Sequence, residues 1–382
     1  MAARYQIFLK DTDYNTVAVI EDWRSLSFTH VVNGVGTLNL SLEDGDKAAL
    51  FGLDYAVEVY RRNQSSNLDW YLEWEGLHRG WSYNTNNEGL KTVELSSLSY
   101  NTLLARRIIA WYKSLPQAEK TGVGESVMKE YVLENAGSGA TTGAGRLVGG
   151  VTTNLTIEAD ALAGGAWTGD RAFRNLLEVL QDVGLATDMT FGVVGTGVMG
   201  TQSFQFTTKE SIFGDDRTND GLDTSTGLNS AGNAPVVFSL DFGNMQNPVY
   251  KVDRQTETTS VLMLGAGADS DRITVEVVDS SVEDDSPWNH IEISRNASQE
   301  DVIGALAVAG ASILEERKAT VDFDFDVLQV SSLIYGRDYF VGDKITARYG
   351  DNEVDLKIVG ATITVNADGG ETVTPAFSEV GL

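Results

Sequence analysis

The residues most able to do chemistry are few, and their spacing speaks against most enzymes. His30, His78 and His290 stand far apart in the 382-residue chain. None lies in a His-x-x-x-His or His-Glu-x-x-His arrangement that would turn two imidazoles toward one metal. A zinc hydrolase is not expected, and each histidine reads as a strand-face or loop residue. The chain has no cysteine, which removes a thiolate nucleophile, a cysteine zinc site and a disulfide framework. It also has no Gly-x-Ser-x-Gly elbow to expose a hydrolase serine. The glycine-rich pieces Gly192–Gly200 and Gly265-Ala266-Gly267 lack the Gly-Lys-Ser/Thr of a phosphate loop and open no helix after a strand, so they read as hairpin loops. Asp215-Asp216 and Glu283-Asp284-Asp285 offer paired acids for glycoside cleavage or calcium, without the spacing of a helix–loop–helix calcium site. Solvated charge is the preferred reading there, calcium comes second and catalysis third. Trp70, Tyr71, Trp74, Trp81 and Tyr83 could stack on sugars, yet an amphipathic strand gives the same alternation, and packing in a core or interface is preferred. No catalytic, cofactor-binding or metal-ligating residue is assigned.

The elements that would position these residues are mostly strands. Short runs at period two cover Tyr5–Lys10, Val17–Glu21, Leu26–Val31, Gly36–Leu42, Ala56–Arg61, Trp70–Leu77 and Leu90–Ser96, separated by the turn signals Asn33-Gly34, Glu43–Asp46 and Asn84–Gly89. Residues 1–105 therefore read as a small β-barrel or sandwich. The period then changes. Ser99 is a candidate cap for a turn over Tyr100–Arg106, and Val123–Asn135 puts Val127, Met128, Tyr131 and Val132 on one helical face. Asp170–Gly184 predicts a second helix, with Asp170 as cap, Phe173, Leu176, Leu177 and Leu180 as stripe, and Gly184 as stop. Gly137–Gly150 and Asp215–Asn233 read as extended loops, so 106–235 is an insert. Strands return in 236–382 at Val236–Asp241, Ser260–Leu264, Ile273–Val278, Val321–Val327, Lys344–Arg348, Val354–Thr364 and Thr372–Ala376. A helix over 298–317, with a Ser298-x-x-Asp301 capping box, interrupts them; its stripe includes Val302, Ala305, Leu306 and Ile313, and its small residues suit close packing on a sheet. The fold class is mainly β with a few inserted helices.

Composition bounds the partners. A chain of this length with 42% hydrophobic residues has more than one core. No apolar run follows the early basic residues, and none approaches the ~18 residues of a membrane span, so neither a standard secretion signal nor a membrane span is expected. A net charge of −27 repels phosphate backbones and argues against DNA binding through basic patches.

The order of the remaining features resembles the hub proteins at the tail tip of siphophages. The pieces are Leu103–Tyr112 (LLARRIIAWY), Glu119–Gly122, Glu125–Val132, Phe173–Leu180, Phe238–Asn244 (FSLDFGN), Val261–Leu264 with Gly265, Gly267 and Arg272, and Trp288–Glu292. After the helix come Gly336, Arg337, Asp338, Tyr339, Gly342 and Asp343 within YGRDYFVGDKI, similar to an aromatic-Gly-Asp turn of phage tail and baseplate proteins. There Gly342 would supply an unusual backbone angle and Asp343 would accept backbone hydrogen bonds. The resemblance covers roughly 90–382 and departs from the pattern in the loops 137–166 and 195–233. It implies two β-barrel-like tube domains, a homotrimeric ring joining the sixfold tail tube to threefold tip components, and a virion location. It also implies a channel that DNA crosses without specific binding, and contacts to the distal tail protein, the tape measure and tip or fibre proteins. A carbohydrate-binding adhesin is the competing reading, and a tail-tip glycosidase or peptidase stands behind both.

Overall fold

The computed structural model describes residues 3–43, 45–63, 70–85, 89, 91–111, 117–150, 154–298 and 300–379. Tyr112, Leu90, Asp44 and 86–88, which carry parts of the motif and turn readings above, lie outside the described residues, as does the side chain of Ala305.

Seven strands come first: β1 (Arg4–Lys10), β2 (Thr16–Ile20), β3 (Ser25–Val31), β4 (Thr37–Leu42), β5 (Ala56–Arg62), β6 (Tyr71–Thr85) and β7 (Lys91–Ser99). The middle of the chain adds helix α1 (Thr102–Ala105), β8 (Lys120–Val123), α2 (Gly124–Asn135), β9 (Leu155–Ile157), β10 (Ala166–Gly169) and α3 (Leu176–Thr187). It continues with β11 (Met189–Gly195), β12 (Phe204–Glu210), β13 (Asp216–Arg217) and β14 (Val237–Ser239). Then come β15 (Met245–Asp253), β16 (Ser260–Leu264), β17 (Thr274–Val278), α4 (Ser280–Glu283), β18 (Glu292–Asn296), α5 (Ile303–Glu316) and β19 (Thr320–Val327). The chain closes with β20 (Lys344–Tyr349), β21 (Asn352–Asn366) and β22 (Glu371–Glu379). It divides into two compact units, Met1–Gln246 with Asp326–Leu382, and Asn247–Phe325.

The larger unit is built on a twelve-stranded sheet in the order β13-β20-β21-β3-β4-β7-β6-β5-β1-β2, with β14 also on β20 and β22 also on β21. Strands from both ends of the chain thus share one sheet, with β21 pairing to β20 through Lys357 and to β3 from Gly360 onward. Among the described residues no ladder joins β2 back to β13, so the expected pair of barrel-like domains is not seen as closed sheets. Period-two burial shows why these segments are strands: Tyr5, Ile7 and Leu9 on β1, Leu26 and Phe28 on β3, and Leu38 and Leu40 on β4 all turn to one buried face.

β6 departs from the alternation expected around Trp70, Leu72 and Trp74. Val59 pairs with Trp74 while Tyr60 pairs with Leu72, which leaves Glu73 as the extra residue of a β-bulge. Leu72 is consequently exposed and Trp74 buried, while the Glu73 side chain turns inward.

The insert carries a second core in which α2 and α3 pack with the β11–β12 hairpin through Met128, Tyr131, Leu180, Phe191 and Phe206. The helix ends differ from the sequence reading. The second helix starts at Leu176 because Asn175, not Asp170, accepts the backbone N–H groups of Leu177 and Glu178. Phe173 stays exposed before it, Gly184 lies inside it, and Asp188 ends it with a left-handed backbone (φ 51°). Ser99 belongs to β7, and Asn101 takes the cap position of α1.

In the smaller unit β17, β16 and β18 form a three-stranded sheet and β15 pairs with β19. α5 starts at Ile303, later than the 298–317 reading, and Ser298 with Asp301 does not cap it; Val302 holds that position without a side-chain bond. Leu306 and Leu314 pack on Val261 and Met263, and at Gly310 a Cβ would come within 2.7 Å of Val277, which explains a small residue on that face.

Candidate functional site

The start of the 335–343 segment, Tyr335 and Gly336, packs on a buried cation that the sequence did not single out. Arg61, on β5, is 1% exposed. Its Nε and Nη2 donate to both carboxylate oxygens of Glu371 on β22, at 3.1 and 2.8 Å. Nε also donates to the Tyr5 hydroxyl at 3.0 Å, and Nη1 donates to the Tyr71 hydroxyl at 2.8 Å and the Tyr335 carbonyl at 3.0 Å. Such a fork of charge-assisted bonds suits arginine's planar donor set. The segment can approach this closely only because of Gly336, whose φ is 77° and where a Cβ would lie 1.9 Å from Arg61 Nη1.

Below it, the Tyr71 and Tyr335 hydroxyls donate to the inward-turned Glu73 at 2.6 and 2.8 Å, and His30 Nε2 pairs with it at 3.1 Å. Burial alone would raise the Glu73 carboxyl, but His30, Arg61 and the tyrosine bonds bring it below its ordinary value. The rest of the segment holds itself. Arg337 pairs with Asp338, which accepts the Ile334 N–H at 2.7 Å; Tyr339 is buried against Phe238 with ring centres 5.4 Å apart and takes a bond from Gln329.

The Gly342-Asp343 turn is a separate joint in the same unit. Gly342 has φ 97°. Asp343 accepts the backbone N–H groups of Asp215 and Phe340 at 2.8 and 2.9 Å and the Nε of Arg217 at 3.1 Å, so it ties the start of β20 to the loop before β13. Burial raises its carboxyl despite these donors. Asp343→Ala is expected to cost about 1–2 kcal/mol in chemical denaturation, because the freed N–H groups are near enough to solvent to be rehydrated.

A second pair of acids, Glu58 and Glu75, faces across the β5–β6 ladder. Glu58 is 1% exposed, takes the Tyr14 hydroxyl bond and pairs with Lys10 at 3.0 Å. Glu75 accepts the Gly195 N–H at 2.7 Å, and no lysine or arginine ion-pairs with it among the described residues. Burial, with Glu58 nearby, pushes its carboxyl up to about 7.

The motif residues of 260–292 lie in the smaller unit. Gly265 and Gly267 form the turn after β16, where Arg272 donates to the Gly265 carbonyl at 3.3 Å. Trp288 is 88% exposed, and Glu292 sits 3.6 Å from His290, which also pairs with Glu283. Of the aromatic row, Trp74 is buried and Tyr71 is bonded to Arg61 and Glu73; Trp81 and Tyr83 are exposed with ring centres 5.0 Å apart. Among the described residues no group of three or more histidine, aspartate or glutamate side chains is placed to hold a metal ion, and no helix is long and apolar enough to cross a membrane. Asp215, Asp216 and Asp285 are instead engaged by Arg217, Lys344 and Arg254.

A family model described as Siphovirus ReqiPepy6 Gp37-like protein matches residues 4–377. The chain belongs to that siphophage family. No curated protein matches it by sequence. Its fold is that of solved tail proteins: one from Neisseria meningitidis MC58 superposes with a TM-score of 0.53 at 9% identity, covering 99% of this chain and 97% of that one. The 43 kDa tail protein of prophage MuSo2 from Shewanella oneidensis gives 0.55 at 9%, covering 99% and 98%. A chain of the Francisella PdpA–VgrG complex gives 0.50 at 9%, with 99% of this chain on 58% of that one. The Gp37-like chain thus has a mainly β fold shared with solved tail proteins.

Proposed function

We propose that this Gp37-like chain is a tail protein and the hub of the tail tip. Three copies close a ring that joins the sixfold tail tube to threefold tip components and encloses part of the DNA path. The observation that carries the reading is the end-to-end match of the fold to two solved tail proteins, one of them from a prophage, with 97–98% of their lengths covered. In this reading residues 1–105 and the strand segments of 236–382 form the ring, 106–235 is the insert, and the glycine and aspartate turns of 336–343 hold the ring strands in register. The neighbours are the distal tail protein, the tape measure and tip or fibre proteins. The acidic balance of the chain would let DNA pass by like-charge repulsion.

The test is native mass by mass photometry across concentration and salt, alone and with the distal tail protein. A species of three times 41.3 kDa is expected. A monomer that stays a monomer with its tail partner present would overturn the trimeric ring. The adhesin reading keeps the exposed Trp81 and Tyr83 as a platform, and saturable glycan binding lost in Trp81→Ala would favour it.

A further inference from the structure

A cavity of about 240 Å³ opens between β3, β6 and β11, and nothing in the hub reading uses it. Its walls include Glu73 and Glu75 and the aromatic side chains of Trp74, Tyr100, Phe191 and Phe213. Tyr100 is 1% exposed, and its hydroxyl has no hydrogen-bond partner. A hydrogen-bonding group brought into the cavity could serve this phenol.

The charges around the cavity do not balance. Arg61 is matched by Glu371 and Lys10 by Glu58, and Glu73 is held by His30 and two tyrosines. Glu75 has one backbone N–H, a second carboxylate, Glu58, nearby, and as its cation only Lys10, which is already paired with Glu58. A largely buried carboxylate without a counter-charge is costly, so the cavity favours whatever brings positive charge to it. Aromatic rings attract a cation to their faces, and a carboxylate among them fixes its position. The space exceeds what one bare ion fills, and the acids here are not grouped for a metal.

We propose that this cavity binds an organic cation, an ammonium or guanidinium group, against Glu75 with the aromatic side chains around it. Two sources share that chemistry: a free small amine, and a lysine or arginine side chain of another protein. The groups facing Glu75 are Glu58 and Tyr60 on β5, Lys10 on β1, Tyr14 between β1 and β2, the Gly195 N–H on β11, and Tyr100 after β7. Proton and cation compete for the carboxylate, so binding tightens as pH rises through about 7.

The experiment is isothermal titration of the full chain with butylammonium, ethylguanidinium and a capped Gly-Gly-Arg-Gly-Gly peptide, with butanol as the neutral control. Saturable one-site binding of at least one cation is expected at pH 8, weakened about tenfold at pH 6. Glu75→Gln, with a thermal midpoint at pH 8 no lower than the parent's, should weaken it by at least about tenfold. Tyr100→Phe removes only the hydroxyl; it should weaken binding about threefold and carries the test should the Gln variant fail to fold. Binding of the peptide as well as the free cations assigns the site to a partner's side chain, whereas binding of the free cations alone assigns it to a small amine. No saturable heat from any probe up to about 10 mM at pH 8, or equal binding by Glu75→Gln, overturns the proposal.

Discussion

Arg61→Ala is expected to lower the unfolding free energy by about 3–5 kcal/mol, the range for breaking a buried ion pair from one side. The change strands Glu371 without its bidentate partner and leaves the Tyr335 carbonyl and the Tyr5 and Tyr71 hydroxyls without the guanidinium. Part of the loss is desolvated charge and not lost packing, and a second variant separates the two. Arg61→Met with Glu371→Gln removes both charges while keeping volume, and should recover more than half of the deficit. Urea denaturation of the single and double variants checks this. A single variant within about 1 kcal/mol of the parent would mean that the guanidinium contributes no more than a surface pair.

The reason Arg61 was not legible in the sequence is distance. Its partners come from β1, β6, the 335–339 segment and β22, and the Glu371 contact spans 310 positions. Nothing in the local pattern of β5, AVEVYRR, distinguishes an arginine that turns inward from its neighbour Arg62, which faces out. The one local signal was the glycine at 336, whose need for an open approach is explained only by what approaches it.

What local pattern could specify, it did. The first hundred residues read as seven strands at period two, and the structure has strands at all seven places, with burial alternating in β1, β3 and β7 while β5 is buried on both faces. The helix starts were misplaced for a physical reason: Asp170 and Ser298 are good caps by type, but Asn175 and Val302 hold the positions where the backbone turns helical. The strands of the insert escaped because β9 and β10 are only three and four residues long, and β11 contains glycine, which weakens a strand reading. The bulge at Glu73 is the most consequential omission. One extra residue turns a carboxylate inward beneath Tyr71 and Tyr335, and β6 thereby supplies both Glu73 and Glu75 to the interior.

Glu75→Gln is expected to stabilise the protein in alkaline solution, the opposite of what removing a charge from a polar site usually does. The folded-state carboxyl is raised to about 7 against an ordinary 4.5. A carboxyl raised in this way binds its proton more tightly when folded. Its contribution is therefore fully present below pH 4.5 and is lost as pH climbs through about 7. Above that, burial of the ionised form costs roughly 3 kcal/mol, from ~1.4 kcal/mol for each pH unit between the two values. Glutamine keeps an oxygen for the Gly195 N–H and has no charge to bury, so the variant should unfold at a higher urea midpoint than the parent at pH 8.5. The two curves should draw together by pH 5, where the parent's carboxyl is already protonated. A parent whose stability does not decline between pH 5 and 8.5 relative to the variant would mean that Glu75 has found a counter-charge. An organic cation retained through purification would do that, and dialysis at pH 5, where the protonated site releases it, followed by return to pH 8.5 should restore the decline.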